Sequence, residues 1–251
     1  MRVPYRIVVE PAEYAEYAAV IDSTKIICAP ENFSKRGQGS IPVRNFIWDT
    51  AIAEGHARHW IIDDNINNFY RMNLHRKVPV ASGTVFACAE NFTDRYENIA
   101  FSGFNNLAFS KDCPTPFILN TRIYSITLIN TALPYRWRGR YNEDTDICLC
   151  ALKDGWVTML FHAFLADKAT TMTQKGGNTE TIYNTGDNRR EFAESLARQH
   201  PDVASVVWKF NRWHHQVNYS PFKRNKLIRR PNAVVSDGVN EYGMKLVRVN
   251  P

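Results

Sequence analysis

What the chain lacks narrows its class before any motif is read. Nowhere do roughly 18 apolar residues run together, so no segment reads as a membrane-spanning helix and no membrane partner is expected. The opening Met1-Arg2-Val3-Pro4-Tyr5 has no apolar run of the kind a secretory leader needs, and the expected location is a cytoplasm. The five cysteines are odd in number and show no C-x-x-C spacing, which supports neither a disulfide framework nor a cysteine zinc site. Cys148 and Cys150 fall two apart in a predicted helix, where their thiols point away from each other, and read as buried reduced cysteines. No G-x-G-x-x-G follows the first predicted strand, which argues against a dinucleotide-binding dehydrogenase. Internal repeats and low-complexity linkers are also missing.

What remains is an ordinary globular composition. The 251 residues are 44% hydrophobic and 22% charged, enough to bury a substantial core in one domain spanning residues 1–251. The net charge of +6 is compatible with a polyanionic partner but does not by itself indicate one.

Apolar β-rich runs alternate with helical patterns, which predicts an α/β fold with a mixed, mostly parallel central sheet flanked by helices. Strands are predicted over residues 5–10, 25–29, 60–62, 99–101, 123–129 and 156–161. Helices are predicted over 13–20, 43–54 (ended by Gly55), 83–98, 143–155 and 189–200, with polar loops at 31–42 and 170–178.

The sharpest local feature is an apolar strand ending in paired carboxylates, Trp60-Ile61-Ile62-Asp63-Asp64-Asn65. Open α/β sheets bind ligands at the carboxyl ends of strands, and a hard divalent ion can bridge such carboxylates to a diphosphate. The plainer reading is helix capping or loop solvation.

A second acidic cluster, Asn142-Glu143-Asp144-Thr145-Asp146, opens a predicted helix. Carboxylates in a first helical turn are favoured by the dipole and cap free amides. Held there with a low pKa, Asp144 is also a candidate general base for an acceptor hydroxyl. Arg44, just inside another helix N-terminus, is placed either to grip a pyrophosphate or to pair with a surface acid.

Between residues 209 and 230 lie seven basic residues (Lys209, Arg212, Lys223, Arg224, Lys226, Arg229 and Arg230) and no acidic one. They are interleaved with Trp213, Tyr219 and Phe222, a composition suited either to a nucleic-acid groove or to a solvated basic face. Tyr135-Arg136-Trp137-Arg138-Gly139-Arg140 repeats the theme beside the proposed base. His162, His214 and His215 are possible further metal ligands, although a lone histidine is more often structural. In a strand, adjacent histidines face opposite ways, so at most one of His214 and His215 should reach a site.

The order of these motifs resembles GT-A glycosyltransferases, with Asp63-Asp64-Asn65 in place of the usual Asp-x-Asp metal motif and Asn142-Glu143-Asp144 matching x-Glu-Asp. The shifted second acid leaves open which carboxylate contacts the metal. More narrowly, four phrases resemble the TET/JBP-associated glycosyltransferases across about residues 3 to 227. They are Val43-Arg44-Asn45-Phe46-Ile47-Trp48-Asp49, Trp60-Ile61-Ile62-Asp63-Asp64-Asn65, Tyr141-Asn142-Glu143-Asp144-Thr145-Asp146 and Arg212-Trp213-His214-His215.

This resemblance implies a GT-A-like domain with a nucleotide-sugar-binding half over about residues 1–130 and an acceptor-binding half over about 131–230. Members, many encoded by phages, are associated with adding sugar to 5-hydroxymethylated pyrimidines in DNA, so the implied partners are a UDP-sugar and DNA carrying 5-hydroxymethylcytosine or a related base. The implied cofactor is Mn²⁺ or Mg²⁺ held by Asp63, Asp64 and a histidine, His214 or His162. Donor contacts would come from Glu10, Arg44, Asn45, Asp63, Asp64 and Lys175, and catalysis from Asp144 with Glu143. DNA contacts would come from Arg136, Trp137, Arg138, Arg140, Lys223 and Arg224. Two alternatives stay open: a transferase acting on a glycan, protein or small molecule, and a nucleic-acid-binding module without turnover.

Overall fold

Ile7–Val9 (β1) and Ile26–Cys28 (β2) pair in parallel through Ile7↔Ile26 and form a small sheet of their own, with the short helix Tyr14–Ala18 (α1) between them in sequence. The computed structural model describes residues 1–110, 115–169, 188–234, 238–239 and 243–245. Helix Ile41–Ala53 (α2) carries Pro42 in its first turn, where a missing N–H costs nothing. It ends at Gly55 as expected. With φ of 74°, Gly55 lets its own N–H and that of His56 bond back to the Ile52 and Ala51 carbonyls, closing a Schellman turn.

The remaining elements are Arg58–Ile62 (β3), Ile66–Asn73 (β4), Arg76–Pro79 (β5), Thr84–Asp94 (α3), Ile99–Asn106 (β6), Phe117–Leu119 (β7), Ile126–Asn130 (β8), Glu143–Lys153 (α4), Val157–Lys168 (β9), Arg189–Gln199 (α5), Ala204–Lys209 (β10) and Arg212–Val217 (β11). A 3₁₀ turn follows at Ser220–Arg224. Among the described residues no helix is long and apolar enough to cross a membrane.

The main sheet runs β3-β8-β6-β9-β4-β5, with β7 also on β9. It is mixed, but the expectation of a mostly parallel sheet is corrected. Only β6 and β9 are parallel, and every other pairing in that sheet is antiparallel. Two features cause the difference. Among the described residues no helix separates β6 from β8, and the β4–β5 hairpin was not anticipated at all. Its two-residue turn, Leu74-His75, holds both residues at positive φ (48° and 62°) without the glycine or asparagine that usually marks such a turn.

Strand alternation sends neighbouring residues into different cores. Trp60 packs with α3 residues Val85, Phe86 and Ala89, whereas Ile61 packs with Ile41 and Trp48 of α2 and Ile147, Cys148 and Ala151 of α4. Along β9, Met159 and Phe161 join the first set and Leu160 the second. Helices therefore cover both faces of the sheet, α3 on one and α2 with α4 on the other. A third cluster, Leu149, Leu152, Leu196, Val203, Ala204 and Phe222, packs α5 and the β10–β11 hairpin against the other side of α4. Cys148 is a buried free thiol and Cys150 is half-buried; Cys113 lies outside the described residues.

Candidate active site

Helical periodicity puts Ile41, Arg44, Trp48 and Ala51 on the buried stripe of α2, so an arginine occupies a core position with only 7% of its surface exposed. A guanidinium in such a place must be paired. Arg44 reaches Asp63, just past β3, through Nη2 (2.9 Å), and reaches α4 through Nη1, which lies 2.5 Å from Asp144 and 3.4 Å from Glu143. Its guanidinium carbon lies over the buried Trp137 ring, 5.6 Å from the centroid.

Asp63 shares the parity of Ile61, which directs it toward the α2 and α4 side of the sheet. Its second oxygen accepts from Lys168 Nζ at 2.9 Å, and Lys168 also donates to Ser125 Oγ at 2.6 Å. The Asp63 N–H bonds the Ser125 carbonyl at 2.8 Å, fixing the chain where it leaves the strand. Ser125 itself is at positive φ (65°). This bend is admitted by Gly103 on β6, where a Cβ would stand 2.2 Å from the Ile126 carbonyl oxygen.

Burial works to raise the Asp63 carboxyl, but Arg44 and Lys168 outweigh it and hold the group below the usual carboxylate range. Asp144 goes the other way. Burial, with Glu143 and Asp63 close by, pushes it up to about 6 against the pull of Arg44. The expectation of a low pKa at the helix start is thereby corrected: the charge of neighbouring acids and loss of water outweigh the dipole. Nor does Asp144 cap the helix, whose N-cap is Asn142 in a left-handed conformation with φ of 56°.

Asp63, Arg44, Glu143 and Asp144 are thus brought together from three elements, and Asp64, next in the chain after Asp63, is exposed to solvent. Lys168 and Ser125 complete the cluster without having been marked by any sequence motif. Three carboxylates face two cations, leaving an excess of negative charge, while both Asp63 oxygens are taken, one by Arg44 and the other by Lys168.

The other expected site residues are placed differently. Asn45 is fully engaged in clamping the Trp137 backbone, donating to its carbonyl (2.8 Å) and accepting from its N–H (2.9 Å). Trp137 is a core residue, edge-on to Trp48 at 5.3 Å, and offers no face to a base. Arg136 pairs with Asp49 at 2.8 Å, and Arg138 pairs with the buried Asp146 through Nε at 3.0 Å. Arg140, Lys223 and Arg224 are exposed. Glu10 accepts from the Ser34 N–H and hydroxyl, both at 2.6 Å, ahead of α2. Lys175 lies outside the described residues.

His162 is buried on β9 six residues before Lys168, about 20 Å away along an extended strand. Of the histidine pair on β11, His214 receives a bond from Arg212 Nε at 2.9 Å. His215 is the inward one. Burial, with the Arg122 and His214 charges nearby, lowers its pKa to about 4, and Arg122 in turn stacks on Tyr124 (5.0 Å), next to Ser125. The alternation holds: His215 lies on the hairpin face of Trp213 and Val217, and His214 on the opposite face.

Asp146, Cys150 and His200 are the one group of three possible metal-ligating side chains found among the described residues. Both Asp146 oxygens are already bonded, one to His200 Nε2 at 2.7 Å and the other to Arg138, which gives this trio a structural role in fastening α5 to α4.

Comparison with curated proteins and with solved structures gave no match. A family model described as TET-Associated Glycosyltransferase matches residues 1–177, a span that contains Arg44, Asp63, Glu143, Asp144 and Lys168 and stops short of α5 and the β10–β11 hairpin. With most of the chain covered, including the whole carboxylate and guanidinium cluster, this protein belongs to the TET-associated glycosyltransferase family.

Proposed function

We propose that the chain transfers a sugar from a UDP-sugar to the hydroxyl of 5-hydroxymethylcytosine, or another 5-hydroxymethylpyrimidine, in DNA, with inversion at the anomeric carbon. The observation that carries this reading is Asp144: partly open to solvent, fixed at 2.5 Å by Arg44, and with a pKa near 6. A base with that pKa is largely ionised at neutral pH yet still basic enough to accept a hydroxyl proton. One Asp144 oxygen is held by Arg44, leaving the other for the acceptor.

The exposed Asp64, with Asp63 exchanging its Lys168 contact for the ion, would hold Mn²⁺ or Mg²⁺, which when bound supplies charge neutralisation for the departing diphosphate. Lys168, at 2.9 Å from Asp63, adds a fixed positive charge at the same strand end. Arg44 is committed to three carboxylates and therefore acts as an organiser of the site rather than a donor clamp. Glu143, linked to Ser40 Oγ at 3.3 Å and to Arg44, keeps the start of α4 against α2.

The test is to incubate the protein with Mn²⁺, a panel of UDP-sugars, and DNA carrying either cytosine or 5-hydroxymethylcytosine, then digest the DNA and weigh the nucleosides. A hexose or aminosugar mass on the hydroxymethylated base alone supports the reading. Hydrolysis of the donor without any modified nucleoside would move the acceptor from DNA to another hydroxyl.

A further inference from the structure

The β10–β11 hairpin ends in a two-residue turn, Phe210-Asn211, beyond the last cross-strand pair Lys209↔Arg212. Both turn residues sit at positive φ, 52° and 55°. Asparagine tolerates that conformation; a phenylalanine there is an outlier, since its Cβ crowds its own backbone. The ring gains little from folding in return. Phe210 is 88% exposed and Trp208 behind it is 55% exposed. A strained backbone that carries a large apolar ring into water points to function rather than to stability.

The rest of the hairpin is built as a rigid stalk for that tip. Its inner face runs from the core pair Ala204↔Val217, through Val206↔His215, to Trp208↔Trp213, whose rings meet edge-on at 5.1 Å. Arg190 of α5 lies over Trp213 at 5.2 Å and braces it. Among the described residues, the ring contact Phe210 makes is a distant edge contact with His214, at 6.1 Å.

The charge around the tip selects the partner. Lys209 and Arg212 flank the turn, and their polar contacts are to Gln216 and His214, with no carboxylate among the described residues taking either charge. Residues 203 to 230 contain no Asp or Glu. An apolar ring between two uncompensated cations suits a stack of bases between two phosphate backbones.

We propose that Phe210 is a wedge that enters duplex DNA at the position vacated by the target nucleotide, while Lys209 and Arg212 hold the phosphates on either side. A 5-hydroxymethyl group of a stacked duplex lies at the major-groove edge; turning its nucleotide out of the stack would bring it to Asp144 at the start of α4, and a ring filling the gap would keep it out. The inference rests on the reading that DNA is the acceptor, and it adds duplex capture as a separate activity of the hairpin.

The experiment compares wild-type protein, Phe210→Ala and Phe210→Trp on one 5-hydroxymethylcytosine sequence, as duplex and as single strand, with a 2-aminopurine next to the target base. The expected result for Phe210→Ala is a loss of about tenfold or more in transfer to the duplex, as removal of one stacking ring implies. Transfer to the single strand should fall by less than about twofold, since no gap has to be filled there. Wild type should raise the 2-aminopurine fluorescence, and the rise should vanish in Phe210→Ala and return in Phe210→Trp. Equal losses on both substrates, or none on either, overturn the wedge. So does loss of a dimer in sedimentation with an unchanged duplex preference, which would assign the tip to a second copy of the chain. If wild type modifies only single strands, the wedge falls while the DNA acceptor stands; if it modifies neither form, the acceptor reading falls and takes the wedge with it.

Discussion

Arg44 and Asp144 stand 100 positions apart in sequence and 2.5 Å apart in space, with the arginine on a core stripe of one helix and the aspartate in the first turn of another. The same guanidinium spans to Asp63 at 2.9 Å, so one side chain sets the separation between the strand-end carboxylate and the candidate base.

Removing that side chain leaves three carboxylates facing only Lys168. Arg44→Ala should lower stability by about 3–5 kcal/mol, the usual result of stranding a buried partner, and abolish transfer. Arg44→Lys should restore only part of both, since an ammonium cannot reach Asp63 and Asp144 through two separate nitrogens. Urea unfolding of the two variants against wild type decides this.

Asp144→Asn should reduce transfer by roughly 10²- to 10⁴-fold while leaving donor binding in place. The wild-type rate should rise with pH through about 6 and then level, because only the ionised carboxylate accepts a proton. The stability effect has the opposite sense. A folded pKa raised above the unfolded value means stability is greatest at low pH and declines as pH rises through about 6, so the asparagine variant should unfold at the same or a higher denaturant concentration at pH 7.5. A fall in stability at that pH would contradict the charge crowding described here.

His59 gives a second pH signature. Burial, with His56 and Arg136 nearby, lowers its pKa to about 4, and its Nδ1 meets Thr131 Oγ1 at 2.9 Å. Between about pH 6.5 and 4 the unfolded chain takes up a proton that the folded chain refuses, so stability falls across that window as pH drops. In His59→Gln the slope of unfolding free energy against pH should flatten there.

Gly103→Ala should destabilise the protein by about 1–3 kcal/mol and cost activity as well. The added carbon meets the Ile126 carbonyl at 2.2 Å, and relief requires the 123–126 segment to move. That movement carries Ser125 away from Lys168 and Asp63. Transfer assayed well below the melting transition separates the lost geometry from simple unfolding.

The parts of the site that were legible were those where a strand or helix boundary coincided with charge. Asp63 ends a run of apolar residues, and Glu143-Asp144 opens a helix, so both carboxylates could be placed before their distance was known. The spacing of Ile41, Arg44, Trp48 and Ala51 contained the burial of Arg44, though an arginine near a helix start was read as a phosphate ligand or a surface partner. Lys168 had no such mark, being a lysine at the far end of a long strand. Trp137 was misplaced because a tryptophan among arginines resembles a base-stacking platform, whereas Asn45 pins its backbone and turns the ring into the core. Both hairpins escaped notice because their turns lack glycine: Leu74-His75 has no residue that adopts a left-handed conformation cheaply, and in Phe210-Asn211 the asparagine stands second, after a phenylalanine that disguises the turn.

Helix α4 has no side facing water along most of its length. Ile147, Cys148 and Ala151 belong to the core shared with α2 and the sheet, while Leu149 and Leu152 belong to the core shared with α5 and the hairpin base. The helix that presents Asp144 is therefore a common wall between two compartments, and it cannot tilt or slide without opening one of them. Shortening the chain at residue 177, where the family match ends, would strip that wall on one side and unseat the base even though every residue of the carboxylate cluster was retained.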